Sequence, residues 1–133
     1  MILSVDPAIG KWGYTVFDDN GNIVEKCGFN WTNKGYSKEK RWVLLLEVLR
    51  EVTAKHDISL ILTERQFQGS LLQTMCICGI VSGERDIAIR YIAPASWKKW
   101  GIGNYKASKE EVKSIVVNKY PELAKEPHDV CDS

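Results

Sequence analysis

Four acids in this 133-residue chain stand where a divalent cation could be held: Asp6, Glu64, Asp129 and Asp132. Asp6 closes the apolar run Ile2-Leu3-Ser4-Val5 and is followed by Pro7, which has no N–H to give to a β-ladder. Glu64 closes a second run, Ile58 to Thr63, of the kind found in buried strands. Asp129 and Asp132 are spaced i, i+3, so a helix starting in the tail would present both carboxylates on one side. Two acids at neighbouring strand ends repel, and each raises the other's pKa unless a cation lies between them. Four oxygen donors with no soft partner suit Mg²⁺ or Mn²⁺ rather than zinc. Each acid also has a plainer use. Asp6 can stabilise a turn, and aspartates in a first helical turn satisfy free N–H groups and the positive end of the dipole.

Sulfur ligation is not indicated. Cys27, Cys76, Cys78 and Cys131 form no CxxC pair, and with His56 and His128 they give none of the usual zinc spacings. Reduced thiols in apolar surroundings are the expectation. The length and the 44% hydrophobic and 26% charged shares fit one globular domain spanning residues 1–133. No apolar run approaches the roughly 18 residues of a membrane span. The N-terminus lacks the basic region and cleavage site of a signal peptide, which makes the cytoplasm the expected location. The net charge of +1 is uninformative, but its distribution is not. Lysines 98, 99, 106, 109, 113 and 119 face only Glu110 and Glu111, with Trp97, Trp100 and Tyr105 interleaved. Basic groups neutralise phosphates and aromatic faces accept unstacked bases, so the mixture suits nucleic acid. A solvated helix face beside core tryptophans would look the same.

The elements that must position these residues follow from periodicity and turn signals. After the first strand, Gly10 and Gly13 let the chain turn back. Residues 12–18 and 23–30 form a hairpin around Asp19-Asn20-Gly21-Asn22. A helix from Lys38 to about His56 carries Trp42, Leu45, Leu46, Leu49, Val52 and Thr53 on one face. The strand ending in Glu64 is followed by a helix over 70–82 that is apolar nearly all round. Gly79, Ser82 and Gly83 there permit close packing. Such a helix is either deeply buried or shared with a second copy of the chain. A strand over 87–93 ends at Pro94, and a short helical stretch at 95–100 leads into a glycine-bearing loop. Ser108 and Glu111 form a capping box for a helix that buries Val112, Ile115 and Val116 and ends near Tyr120-Pro121. The sum is an α/β domain with a five-stranded mixed sheet flanked by helices. Strands 1–3 are antiparallel, and strands 1, 4 and 5 are parallel through right-handed crossovers.

Four segments, in this order, resemble a known family over essentially the whole chain. They are Ile2-Leu3-Ser4-Val5-Asp6-Pro7 through Tyr14, Thr63-Glu64-Arg65-Gln66-Phe67, Ala93-Pro94-Ala95-Ser96-Trp97-Lys98 with Gly103 and Ala107 to Val112, and Asp129-x-x-Asp132. Together they are similar to the RuvC family of Holliday-junction resolvases, within the RNase H-like nucleases. The resemblance implies metal-dependent hydrolysis of a DNA phosphodiester. Two ions, Mg²⁺ or Mn²⁺, would lie about 4 Å apart, held by Asp6, Glu64, Asp129 and Asp132. It implies functional lysines at Lys98 and Lys109 and a stacking role for Phe67, which could alternatively fill the core, while the basic surface adds Lys99 and Lys106 as expected DNA contacts. It further implies a homodimer, with the 70–82 helix as the candidate interface, acting on a two-fold-symmetric four-way junction.

The tryptophan-rich segment 96–107 looks closer to phage-encoded relatives, which implies a wider range of branched DNA substrates in a bacterial cell or infected host. The chain ends at Ser133 where the family continues through a long helix, so the last helix is expected to be cut short. Three other readings remain open. A YqgF-type nuclease acting on RNA shares the acid layout. An ATP-binding fragment of the actin and sugar-kinase superfamily shares the strand-aspartate-glycine turn but needs several hundred residues. A junction-binding protein without activity could keep the same fold.

Overall fold

The structure is a computed structural model that describes residues 1–104 and 106–125. Asp129, Asp132, His128, Cys131 and Tyr105 lie outside the described residues, as does the helix expected in the tail.

Strands β1 (Ile2–Asp6), β2 (Lys11–Phe17) and β3 (Ile23–Asn30) form an antiparallel meander. Helix α1 (Lys38–Lys55) then crosses to β4 (Leu60–Glu64), and α2 (Gly69–Arg85) crosses to β5 (Ala88–Ile92). The sheet order is β3-β2-β1-β4-β5, with β1–β4 and β4–β5 parallel, which is the mixed sheet expected from the sequence. The β2–β3 turn forms where Asn-Gly stands. Asp18 Oδ1 accepts from the N–H groups of Asn20 and Asn22, both at 2.9 Å, and Gly21 takes a φ of 81°.

One sheet face carries the main core. Leu3, Val5, Trp12, Tyr14, Val16 and Ile61 alternate onto it and meet Leu45, Leu49 and Val52 of α1 and Ile77, Cys78 and Val81 of α2. Trp12 is fully buried, stacked on Phe29 with centroids 4.4 Å apart, while Trp31 meets it edge-on at 5.7 Å. The opposite face is covered by α4 (Lys109–Lys119) and the 3₁₀ turn Pro121–Leu123. There Leu123 packs with Ile23, Val116, Val117 and Tyr120 in a smaller cluster. Between β5 and α4, the one-turn helix α3 (Pro94–Trp97) widens into a π-helical turn over Lys98–Ile102, closed by Gly103 at φ 84°. Proline at the first helical position suits α3, since the missing N–H would have had no helical partner.

Several details differ from the sequence reading. Gly13 sits inside β2 opposite Asp6, not in the turn, which Pro7 to Gly10 complete without it. Helix α2 is longer than expected and one-faced. It buries Thr74, Ile77, Cys78, Val81 and Ser82, and leaves Leu71 and Ile80 exposed. Of Gly79 and Gly83 only Gly79 meets a close approach, since a Cβ there would lie 2.7 Å from the Tyr91 hydroxyl, while Gly83 faces open space; Ser82 is buried and donates to the Ile87 carbonyl. Ile115 is 42% exposed because α4 turns Val112 and Val116, four residues apart, toward the sheet. Phe67 is 72% exposed, so it does not fill the core. The thiols of Cys27, Cys76 and Cys78 are free, and burial pushes Cys78 up to about 12, which keeps it an inert thiol.

An ionic hub ties the hairpin to the end of α1. Glu25 accepts from Lys55 Nζ at 2.8 Å and from the Tyr14 hydroxyl at 2.7 Å, and its Oε2 lies 2.6 Å from His56 Nε2. These partners hold its carboxyl down at about 2, against an ordinary 4.5, with the Lys55 hydrogen bond the largest cause. A depressed acid contributes stability that is complete above its unfolded value and is lost as pH falls through the folded one. Glu25→Gln should therefore cost about 1 kcal/mol at neutral pH. It should also flatten the loss of stability between pH 4.5 and 2, as read by urea unfolding across that range.

Candidate active-site cleft at two strand ends

Asp6 is the last residue of β1 and Glu64 the last of β4. The strands pair in parallel with Val5 beside Thr63, so the next step along both brings Asp6 beside Glu64, on strands about 4.8 Å apart. Val5 and Thr63 point into the core, and alternation sends both acids to the α4 face. Both line one cleft of 260 Å³ together with Pro94, Trp97, Lys98 and Lys109. A contiguous hollow of 290 Å³ shares Asp6, Glu64 and Trp97 and extends to Lys119 and Tyr120.

The backbone around each acid is fixed from several sides. After Asp6, the turn is held by Arg41, whose guanidinium donates to the Ile9 and Trp31 carbonyls, each at 3.2 Å. The Trp31 N–H donates to the Gly10 carbonyl at 2.8 Å. A Cβ at Gly10 would meet Thr32 Cγ2 at 3.0 Å, a tight contact to which Thr32 would have to yield. Gly13, across from Asp6 in β2, puts no side chain beside that carboxylate. Glu64 pairs with Ile92 of β5, and the Arg65 N–H donates to the Ile92 carbonyl at 2.8 Å, carrying the ladder one residue past the acid.

The Glu64 side chain is gripped at both oxygens. Oε1 accepts from Gln66 Nε2 at 3.1 Å, and Oε2 accepts from the Trp97 indole Nε1 at 2.7 Å. Both donors are neutral, so they orient the carboxylate without cancelling its charge. Lys98 Nζ lies 5.5 Å from the centroid of the Trp97 ring, within cation–π range. Lys109 is the first residue of α4, and the Ser108 hydroxyl caps that helix by accepting from the Glu111 N–H at 3.2 Å.

By donor type the cleft suits a hard divalent cation: two carboxylates, with no cysteine or histidine on its lining. Among the described residues no three acids, cysteines or histidines cluster to hold a metal, so this part of the chain offers two ligands. The structure thus brings together Asp6, Glu64, Lys98 and Lys109. It leaves Lys99, Lys106 and Phe67 exposed and off the cleft lining, and Trp100 is 75% exposed, outside any core. Three residues also line the site that the sequence did not place beside the acids: Gln66 and Trp97, which hold Glu64, and Lys119 in the adjoining hollow. The placement of Trp97 directly before Lys98 was the available signal.

Two like charges at adjacent strand ends carry a cost that a bound cation removes. MgCl₂ should raise the unfolding temperature of the unaltered chain, and Glu64→Gln, which removes one of the two ligands, should reduce that rise. Differential scanning calorimetry with and without the salt measures both shifts.

Comparison with known proteins bears on the family and the fold. The family model described as crossover junction endodeoxyribonuclease RuvC matches residues 2–133. A search of curated protein sequences gave no significant match. Among solved structures, Thermus thermophilus RuvC superposes with a TM-score of 0.77 at 18% identity, covering 98% of this chain and 87% of that one. The T. thermophilus RuvC complex with a Holliday-junction substrate gives a TM-score of 0.79 at 18% identity, over 98% and 86% of the two chains. A Fowlpox virus resolvase bound to substrate Holliday-junction DNA gives a TM-score of 0.67 at 17% identity, over 100% and 92%. Those likenesses establish the fold, and no helix among the described residues is long and apolar enough to cross a membrane. With the family model matching all but the first residue, the chain belongs to the RuvC family of crossover junction endodeoxyribonucleases.

Proposed function

We propose that this chain, as a single nuclease domain over residues 1–133, nicks Holliday junctions and other branched DNA by metal-dependent phosphodiester hydrolysis. One observation carries the reading. Two carboxylates from adjacent parallel strand ends share a cleft with two lysines contributed by separate elements, the turn after α3 and the start of α4. Family nucleases of this type depend on a divalent metal. Asp6 and Glu64, with Asp129 and Asp132 from the tail, are the residues that would hold two ions, Mg²⁺ or Mn²⁺. Bound there, the ions supply positive charge at the scissile phosphate and Lewis acidity toward its oxygens and the attacking water.

The remaining groups act on the DNA. Lys98 and Lys109 bring positive charge to the cleft, where negative charge grows on the phosphate as water adds and the bond to the 3′ oxygen breaks. Pre-set electrostatics of this kind act without reorganisation at the moment of reaction. Lys99 and Lys106, exposed outside the cleft, suit sequence-independent grip on the backbone. Phe67, three residues beyond Glu64 and open to solvent, offers a face for a base unstacked at the crossover.

A four-way junction has approximate two-fold symmetry, which a homodimer with an isologous interface matches. The outer side of α2 supports that assembly. Ile80, with Cys76 and Ile77, forms an almost wholly apolar hollow of 350 Å³ with Trp42, Val43 and Leu46 of α1. Val43 and Ile80 are nearly half exposed in the single chain.

The decisive experiment is a metal titration of nicking on a synthetic four-way junction, with linear duplex and structured RNA as parallel substrates. Faster cleavage of the RNA would replace the DNA reading by the RNA-directed one. Asp6→Asn and Glu64→Gln should each abolish nicking while junction binding in CaCl₂ survives. Lys98→Ala and Lys109→Ala should each slow nicking by about 10²-fold with no change in unfolding midpoint. A lysine variant that cuts at the normal rate does not belong to the site.

A further inference from the structure

We propose that Trp97 is a positioning residue for the site: its indole N–H fixes the Glu64 carboxylate for cation binding, and its ring face steadies Lys98. This rests on the reading of the cleft as a metal-dependent nuclease site and adds a residue to it. The geometry comes from one side chain meeting two site groups. Trp97 Nε1 donates to Glu64 Oε2 at 2.7 Å, and Lys98 Nζ stands 5.5 Å from the ring centroid. The indole is half-buried and lines both the cleft and the adjoining hollow.

The support closes on itself through hydrogen bonds. β4 delivers Glu64, and β5 pairs with β4 up to Ile92 beside Glu64. Directly after β5, the Ala93 carbonyl accepts from the N–H groups of Ser96 at 2.9 Å and Trp97 at 3.2 Å, which sets the single turn of α3. Trp97 ends that turn and reaches back to the acid 33 residues earlier. Gln66, the other donor among the described residues, is only two residues from Glu64 and moves with it, so of these two donors it is Trp97 that ties the carboxylate to a different element. An indole has one N–H and no lone pair to offer a metal, so it can orient a ligand without competing for the ion. A carboxylate has about four lone-pair positions. Among the described residues two accept N–H groups, which leaves capacity for a cation. Partners of this kind behind a metal ligand typically govern metal affinity by about 10–100-fold.

The test uses the full chain carrying Trp97→Phe, which keeps an aromatic face for Lys98 and removes the donor. Calorimetric titration with MnCl₂ alone, without DNA, should show affinity weakened about 10-fold or more. The half-saturating metal concentration for nicking should rise in parallel, while the rate at saturating metal falls far less than in Glu64→Gln. Junction affinity in CaCl₂ should not change. Unchanged Mn²⁺ affinity, or a fall in rate at unchanged metal requirement, overturns the proposal. If the phenylalanine variant does not fold, replacing the Trp97 indole by benzothiophene keeps the ring shape and puts sulfur where the N–H was. Unchanged Mn²⁺ affinity there is equally decisive against the proposal. Failure of the unaltered chain to cut any junction sinks the nuclease reading instead, and leaves the Mn²⁺ comparison to judge Trp97 by itself.

Discussion

The parallel ladder between β1 and β4 is the constraint on which the rest depends. Its register, Val5 beside Thr63, ends both strands at an acid and sends both acids to the same face. A slip of one residue would turn one carboxylate into the main core, where an unpaired charge is intolerable. The hydrophobic pattern therefore sets the position of the chemistry as well as the fold. Leu3, Val5 and Ile61 cannot face α1 and α2 unless Asp6 and Glu64 face α4.

The surrounding elements divide the remaining work. On the core side, the Trp12–Phe29 stack with Trp31 edge-on to it and the Glu25 hub hold the antiparallel half of the sheet to α1. Arg41 of α1 then reaches the turn after Asp6, so the helix that covers the core also holds the first acid's loop. On the other side, β5 runs through α3 into a π-helical turn that places Trp97 and Lys98 at the cleft. Wide turns of this kind are costly in ordinary helices and recur at functional sites. Here the turn begins at Lys98, immediately after the residue that meets Glu64.

Much of this was legible in the sequence because the signals were local or periodic. Strand ends at Asp6-Pro7 and Glu64, the Asn-Gly hairpin, the α1 face and the Ser108 cap each depend on a few neighbouring residues, and the structure has all of them. Parallel pairing of strands one and four followed from the helix between them. What was not legible depends on distance. Nothing in residues 64 and 97 as types predicts an indole donating to that carboxylate, since the contact requires the β5 register and the α3 turn together. Gly13 was misread because a glycine near a turn and a glycine inside a strand look alike until the register is known. Helix α2 seemed uniformly apolar because its outer face, Leu71 and Ile80, carries the same residue types as its inner face.

The near-contact at Gly79 carries a mechanical meaning. A side chain there would have to push aside the Tyr91 hydroxyl, so its absence is what lets the fifth strand lay that ring against α2. A push on the outward side of α2 would meet that ring first, on the strand that leads to the arm bearing the indole.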